Sequence, residues 1–164
     1  MNFINTYKVN NFKEHKKNLI DLIFKIPQTI RVSSDEKIFH TDWAIPNTMR
    51  REYKEYFEKN ILKDFLNNFL IKNKFNEVEI DNIWFQVYNT GDFHKFHTHA
   101  KANFTNVFYL QLPTSCVKTN IVDVDLEIEE GDILTFPAFM KHESPINKFK
   151  EFKIIISFNT NVLK

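Results

Sequence analysis

The chain has 164 residues, of which 43% are hydrophobic, and its formal net charge at pH 7 is +1. This length supports one domain with its own core. The near-neutral charge, without a basic block, argues against strong nucleic-acid binding. No apolar run reaches the roughly eighteen residues of a transmembrane helix, and no apolar segment follows the charged N-terminus, so no signal peptide is expected. The lone Cys116 cannot form an internal disulfide, which fits a cytoplasmic location.

The first half of the chain is predicted to be mainly helical. The segment 11–14 has the form of a helix start, and this helix is expected to run to about Phe24, before Pro27. Pro46 is predicted to open the longest helix, which reaches about Asn73. Its apolar residues recur at steps of four and are expected to pack against a sheet; they are Met49, Tyr53, Phe57, Ile61, Phe65 and Phe69.

From Glu77 onward the pattern changes to short apolar segments separated by turns, which is typical of strands. The predicted strands are 77–80, 83–88, 94–99, 104–112, 120–124, 132–136 and 153–159, with short ones at 1–9, 30–32 and 37–39. Helices followed by antiparallel strands predict an α+β fold, and the strand spacing favours a barrel or jelly roll. We therefore expect a single domain, 1–164, with a helical support region (1–76) and a β-barrel core (77–164).

Two closely spaced histidines are the first chemical signal. His97 and His99 are separated by one residue, and residues at i and i+2 of a strand point to the same face, with side chains that start roughly 6–7 Å apart. Two such imidazoles can converge on one metal ion. The alternative is a polar pair on a solvated strand face. Nearby His94 is expected to be exposed rather than to support a ligand.

The C-terminal strands carry the second signal. His142 follows a strand that ends at Pro137, and Lys153 opens the otherwise apolar segment KIIISFN. An ammonium group buried without a partner is costly, so an inward-facing Lys153 would require an anion. The alternative is a lysine at a strand end with its charged group in water. His40 and Asp42 share the i, i+2 spacing and form a rival pair of metal ligands.

The order of these motifs resembles the 2-oxoglutarate- and iron(II)-dependent oxygenases, and in particular the small oxygenases of marine bacteria and their phages. The resemblance covers about 81–159. It rests on a tryptophan strand, a glycine turn, His-x-His, "VFYLQ", Gly-Asp-x-x-x-Phe-Pro, a distal histidine and a basic residue before "SFN". It implies a double-stranded β-helix, which is a cupin-like jelly roll, with iron at its open end and helices packed outside the larger sheet.

The resemblance also implies roles for five residues. His97, His99 and His142 would bind Fe(II), although the family usually has aspartate at the position of His99. Lys153 and Tyr109 would bind the distal carboxylate of the cosubstrate 2-oxoglutarate. The implied reaction is hydroxylation of an unidentified small molecule or protein side chain, with release of succinate and CO2. The candidate wall residues of its apolar pocket are Phe96, Phe104, Phe108, Phe136 and Ile155.

Two other functions fit the same residues. Three imidazoles also occur in cupin-like dioxygenases that use no 2-oxo acid, and Lys153 argues against this interpretation. A non-catalytic jelly-roll module that binds a metal or another ligand is the third possibility.

Overall fold

The computed structural model describes residues 3–114 and 117–163, so Cys116 lies outside the described residues. Within this part of the chain the elements are β1 (Asn5–Lys8), α1 (Phe12–Phe24), β2 (Arg31–Val32), β3 (Glu36–Ile38), β4 (His40–Thr41), α2 (Glu52–Phe57), a π-helical turn (Glu58–Leu62), α3 (Lys63–Asn73), β5 (Glu77–Tyr88), β6 (Phe93–His97), β7 (Phe104–Gln111), β8 (Asn120–Ile121), β9 (Asp132–Pro137), β10 (His142–Ser144) and β11 (Lys153–Leu163). None of these helices combines the length and apolarity that a membrane crossing needs.

The strands form two antiparallel sheets, which confirms the predicted sheet-rich, α+β architecture. The larger sheet has six strands in the order β1-β9-β7-β11-β5-β4, and the smaller sheet has five in the order β2-β3-β6-β10-β8. Strand pairing within both sheets is antiparallel throughout the described residues. The smaller sheet carries His97 and His142 on neighbouring strands, β6 and β10.

Strand β11 separates the two apolar cores of the protein. It pairs with β5 on one side and β7 on the other. Ile154, Ile156 and Phe158 belong to the core that contains the helices. Ile155 belongs to a second core, on the side of the smaller sheet. Because alternate side chains of a strand point to opposite faces, β11 contributes side chains to both cores. The helices pack outside the larger sheet, as expected.

The long helix begins at Glu52, not at Pro46 as predicted from the sequence. Arg51 has an extended backbone (φ −134°, ψ 106°). Its guanidinium donates to the carbonyls of Ile45 and Pro46 and to the Asp42 carboxylate. The segment before the helix is thereby held as a turn around a buried charge, and Met49 is 58% exposed instead of packed.

A π-helical turn keeps the remaining apolar stripe on one side of the helix. Steps of four residues exceed the 3.6 residues of an α-helical turn, so a four-residue stripe drifts around a regular helix. The wider turn at Glu58–Leu62 corrects part of this drift. The Asn60 side-chain amide donates to the carbonyl of Tyr56 at 2.8 Å, which satisfies a backbone group there. The five residues of the stripe from Tyr53 to Phe69 are consequently all buried.

The N-terminal region supplies strands to both sheets. The short strands predicted at 1–9, 30–32 and 37–39 correspond to β1, β2 and β3, whereas β4 was not predicted. β1 covers the edge of β9, β3 pairs with β6, and β4 pairs with β5. Edge strands need partners for their backbone groups, and these short segments provide them. The segments predicted as strands 77–80 and 83–88 form one strand, β5, with a register shift opposite Asn159 and Thr160 of β11.

The two glycines allow a matched test of packing. Gly131 and Gly91 both have positive φ, +89° and +83°. A Cβ at Gly131 would lie 2.8 Å from Cγ of Phe12, whereas at Gly91 the nearest atom is the mobile Nζ of Lys37 at 3.9 Å. We expect Gly91→Ala to lower the free energy of unfolding by about 1–2 kcal/mol for backbone strain. Gly131→Ala should cost a further ~1–3 kcal/mol for displacement of Phe12. Urea titrations of both variants measure the difference, and equal losses would contradict the predicted clash.

Candidate metal centre

Three histidines converge at one end of the space between the sheets. His97 ends β6, His142 begins β10, and these two residues face each other across the pair of strands. One ring nitrogen each from His97, His99 and His142 lies within 4.8 Å of the others. Two nitrogens bonded to one ion at about 2.1 Å lie at most about 4.2 Å apart. Small side-chain rotations therefore bring these nitrogens into bonding range of a single ion.

The backbone that positions His99 differs from the predicted strand. The spacing argument placed His97 and His99 on one strand, but β6 ends at His97 and His99 follows it in irregular backbone. The backbone N–H of His99 donates to the carbonyl of Ala138 at 2.9 Å, which ties this segment to the turn before β10. The His99 ring lies 5.8 Å from the ring of Trp84. A tertiary contact, rather than strand alternation, therefore positions His99.

Backbone carbonyls set the tautomer of two of the three rings. Nδ1 of His97 donates to the carbonyl of Lys95 at 2.7 Å, and Nδ1 of His142 donates to that of Met140 at 2.9 Å. Both acceptors lie two residues before their histidine. Because Nδ1 carries the proton in this arrangement, the Nε2 lone pair is available for a metal. Metal-bound histidines in proteins almost always have such an outer partner.

The three imidazoles are held in the neutral form that metal binding requires. Burial lowers the pKa of His99 to about 4 and that of His142 to about 3. Burial also lowers the pKa of His97. Neutral imidazole is a preferred ligand of iron, zinc and related ions. The donor set, tautomers and charge state therefore fit a divalent transition metal, although no carboxylate belongs to the converging group.

A cavity of about 360 Å³ lies beside the three histidines, between the two sheets. Side chains from both sheets line it. The larger sheet contributes Trp84, Gln86, Tyr88, Thr105, Val107, Ile155 and Ser157, and the smaller sheet contributes Glu36, Ile38, His94, His97, His142, Glu143 and Ser144. Its size and mixture of apolar and polar walls are typical of a small-molecule site.

Lys153 is fully buried behind this cavity. Its Nζ contacts Oγ of Ser144 at 2.7 Å and lies 5.3 Å from the centre of the Tyr88 ring. Ser144 and Tyr88 both line the cavity. Burial lowers the pKa of Lys153 to about 7, since no carboxylate forms an ion pair with it among the described residues. A buried amine without an anion beside a cavity is an arrangement that an anionic ligand would stabilise.

Tyr109 lies on the same face of the larger sheet as Ile155. It is fully buried on β7, directly opposite Ile155 of β11. Its hydroxyl accepts a hydrogen bond from the backbone N–H of Thr119 at 3.1 Å, and Thr119 lines the cavity. Burial raises the pKa of Tyr109 to about 12, so the hydroxyl keeps its proton and can still donate it.

Most of the predicted aromatic wall residues face elsewhere. Phe104 and Phe108 belong to the helix-facing core, because the cavity-facing positions of β7 are the alternate ones. Phe96 is 43% exposed at the surface. Phe136 packs its ring 4.7 Å from that of His142, so it supports a candidate ligand, and Ile155 lines the cavity. The sequence could not reveal which of the two strand faces pointed inward.

The rival pair, His40 and Asp42, forms structural contacts. The Asp42 carboxylate accepts hydrogen bonds from the hydroxyl of Tyr53 at 2.6 Å, the backbone N–H of Phe85 at 2.9 Å and the guanidinium of Arg51 at 3.2 Å. Nδ1 of His40 accepts a hydrogen bond from the backbone N–H of Thr29. These contacts connect the turn before α2 to β5. Within the described residues, the three-histidine group alone has metal-site geometry.

Sequence reasoning missed three residues at the cavity. Ser144 could have been found, since it stands two residues after His142 and therefore shares its strand face. Trp43 lines the cavity with its ring 4.8 Å from that of Trp84, and no local pattern marks it. His94 lines the cavity instead of lying exposed as expected. Its placement depends on a β-bulge, which no local pattern in the sequence indicates.

Comparison with solved structures identifies the fold. The viral collagen prolyl hydroxylase vCPH of Paramecium Bursaria Chlorella virus-1, in complex with 2OG, matches with a TM-score of 0.65 and 14% identity over 98% of this chain and 97% of that one. A 2OG-Fe(II) oxygenase family oxidoreductase from Burkholderia pseudomallei matches with a TM-score of 0.70 and 9% identity over 96% and 84%. The chain has the fold of these oxygenases. No protein-family model and no curated protein sequence matches it.

A third similar structure performs a different reaction on the same fold. The non-heme alpha ketoglutarate dependent epimerase SnoN, from nogalamycin biosynthesis, matches with a TM-score of 0.65 and 10% identity over 97% of this chain and 77% of that one. All three identities are low, so the likeness establishes the fold. The chemistry must be argued from the residues of this chain.

Substitution of His99 tests the predicted ligand set. We expect His99→Ala to weaken Fe(II) binding by about tenfold or more, because one of three nitrogens is lost. His99→Asp should keep or strengthen binding, since carboxylate oxygen also suits Fe(II). Anaerobic calorimetry measures the affinities, and His15→Ala, on α1, is a control expected to bind normally. Equal affinities for wild type and both His99 variants would show that His99 is not a ligand.

The buried amine predicts an unusual dependence of stability on pH. Between pH 7 and 10.5 the unfolded state binds the Lys153 proton and the folded state does not, so the free energy of unfolding rises with pH by about 1.4 kcal/mol per unit. Lys153→Met removes this dependence. In metal-free protein, we expect the variant to be more stable near pH 7, by an amount that shrinks towards pH 10. Urea titrations at several pH values test this, and a constant difference would contradict a buried, unpaired amine.

Proposed function

We propose that the protein is an Fe(II)- and 2-oxoglutarate-dependent oxygenase that hydroxylates its substrate. The observation that carries this proposal is the combination of three neutral, converging imidazoles with a buried lysine that contacts Ser144 in the wall of the same cavity and has no carboxylate partner among the described residues. The first group suits a metal, and the second suits the distal carboxylate of a dianionic cosubstrate. The oxygenase fold and the 2OG bound to the similar viral enzyme support the same assignment. We also propose that the two sheets form a jelly roll within a single domain, 1–164.

In the proposed site His97, His99 and His142 hold the iron. When bound, Fe(II) supplies the dioxygen chemistry that couples oxidation of 2-oxoglutarate, to succinate and CO2, to insertion of one oxygen atom into a substrate C–H bond. Among the described residues, the converging group consists of three neutral imidazoles and no carboxylate. A divalent ion held there would keep both of its positive charges, which would strengthen its attraction for the 1-carboxylate and keto oxygens of the cosubstrate.

We propose that Lys153, Ser144 and Tyr109 bind the other end of the cosubstrate. The Lys153 ammonium would pair with the distal carboxylate, and the Ser144 and Tyr109 hydroxyls would donate hydrogen bonds to it. An incoming anion raises the pKa of the amine above its value of about 7 in the free protein, so binding at pH 8 should be accompanied by proton uptake. The apolar side chains of Ile38, Val107 and Ile155 line the cavity and limit the access of water to the reacting groups.

We propose that the substrate enters beside Trp43. This residue lines the cavity and is 45% exposed, so its ring is available to contact a ligand. We propose a small molecule or a protein side chain as the substrate. A prolyl residue is one candidate, because the similar viral enzyme is a collagen prolyl hydroxylase.

Product analysis tests the proposed reaction. The protein, reconstituted anaerobically with Fe(II) and then exposed to oxygen and 2-oxoglutarate, should form succinate slowly without substrate and faster with a suitable one. Added proline-rich peptides and small-molecule pools are then analysed by mass spectrometry for a gain of one oxygen atom. Metal binding without any succinate formation would contradict the proposal and favour a binding module.

A second candidate is a three-histidine dioxygenase that needs no 2-oxo acid. The absence of a carboxylate from the converging group of ligand atoms favours it, and the buried amine of Lys153 argues against it. Oxygen consumption with Fe(II) and substrate but without 2-oxoglutarate would identify this second activity.

Replacement of Lys153 tests the cosubstrate site. We expect Lys153→Met to lower the affinity for 2-oxoglutarate by ~2–5 kcal/mol, because the buried carboxylate loses its charge partner, while Fe(II) affinity stays near the wild-type value. The metal-to-cosubstrate charge-transfer absorbance, titrated anaerobically, reports binding. Lys150→Met, which changes an exposed lysine, should bind like wild type. An unchanged affinity in Lys153→Met would show that another residue binds the carboxylate.

A further inference from the structure

A β-bulge turns a fourth histidine, His94, towards the candidate metal centre. His142 pairs with His97, and Ser144 pairs with His94. Two steps along β10 thus correspond to three along β6, so β6 contains one extra residue at this place. In a regular strand, residues three apart point to opposite faces. The extra residue of the bulge instead brings His94 and His97 to the same face, and both line the cavity.

The two rings lie face to face. Their centroids are 3.8 Å apart and their planes differ by 13°. By contrast, the planes of His97 and His142 differ by 55°, and those of His97 and His99 by 75°. His94 is not part of the group of converging ligand nitrogens. It therefore contacts His97 through the flat face of its ring rather than sharing the position of the ion.

Strand β3 supports His94 from its other side. Glu36 pairs with His94 between β3 and β6, and its Oε2 lies 3.6 Å from Nε2 of His94. The other carboxylate oxygen of Glu36 contacts the guanidinium of Arg31 at 2.5 Å. The side chains of Glu36 and His94 are mostly buried, with 12% and 22% exposed. The His94 ring therefore contacts the His97 ring through its face and a fixed carboxylate through its Nε2 edge.

We propose that His94 is a positioning residue that fixes the orientation of His97 for metal binding. The hydrogen bond from Nδ1 of His97 to the Lys95 carbonyl holds one edge of the ring, but the ring can still tilt about that contact. The flat ring of His94, packed against the face of the His97 ring, prevents this tilt. Because His97 is already oriented in the folded protein, metal binding is tighter. The inference rests on the metal centre of the proposed function but not on its 2-oxoglutarate chemistry.

Measurements of metal affinity distinguish a role for the flat ring of His94 from a role for its nitrogen atoms. We would titrate Co(II) into wild type, His94→Ala and His94→Phe in competition with a chelating dye. His94→Ala should lower the Co(II) affinity by about 10–100-fold, the usual effect of losing an outer partner of a metal ligand. His94→Phe keeps a flat ring without nitrogens and should restore most of the affinity. Phe96→Ala removes an exposed aromatic ring from the same strand, so it is the control that should bind like wild type.

The hyperfine-shifted Nδ1–H signal of His97 in the Co(II) protein gives a second readout. We expect faster exchange with water in His94→Ala and the wild-type rate in His94→Phe. Because a general loss of stability also speeds exchange, backbone amides far from the centre are the reference and should exchange at the wild-type rate in both variants. Circular dichroism of the metal-free proteins checks folding. If His94→Ala does not fold, His94→Leu replaces it, because leucine fills the space without a planar ring and should show the same loss.

Three outcomes would overturn the inference. Equally weak binding by His94→Phe and His94→Ala would show that His94 acts through its nitrogens. Wild-type affinity in His94→Ala would show that the stacked ring has no role. If wild type itself fails to bind Co(II), the metal centre is wrong and the proposed function fails with it. Metal binding without succinate formation, in contrast, leaves the role of His94 intact.

Discussion

The structure depends on strand β11, whose two faces are buried in different cores. This strand forms hydrogen bonds to β5 on one side and β7 on the other, and each of its faces is buried. The isoleucines at 154 and 156 attach the helices, while Lys153, Ile155 and Ser157 face the smaller sheet. A shift of one residue would exchange these two sets and place a charged amine in the helix-facing core. The apolar helical layer therefore helps to set the register that directs Lys153 towards the cavity.

Stability and the proposed function are in opposition at Lys153. Among the described residues, the fully buried amine has a serine hydroxyl as its polar partner and no carboxylate, which destabilises the free protein. A methionine in this position would fill similar space without that cost. Under the proposed function, an anion beside the amine would remove this cost, so the energy lost in folding would contribute to specificity for a dianion.

The absence of a carboxylate ligand changes the electrostatics of the proposed centre. With three neutral imidazoles, a divalent ion would retain its charge of two, and Lys153 would add a third positive charge at the far end of the cavity. A dianionic cosubstrate would neutralise most of this charge. Glu36 is the nearest carboxylate to His94, but it is already paired with Arg31. It therefore serves as a fixed support for His94 rather than as a free counter-charge.

Local patterns were sufficient for several features. Apolar periodicity located both helical segments, the alternating strands after residue 77 and the core-facing stripe from Tyr53 to Phe69. The i, i+2 spacing of His97 and His99 predicted a metal site, and the resemblance of the motif order to an oxygenase family added His142 and Lys153 as candidate ligands of the metal and of an anion. These signals are local because side-chain period and residue chemistry depend on neighbours in the sequence.

Other features were decided by tertiary structure. The buried Arg51 delayed the start of the long helix, and the fold decided that the short N-terminal strands pair with β9, β6 and β5. The hydrogen bond from His99 to Ala138 brought in the third imidazole, and the bulge in β6 turned His94 onto His97. Each of these depends on a partner far away in the chain, or on a register between strands. The composition and spacing of one segment do not identify such a partner, so these features are determined only in the folded chain.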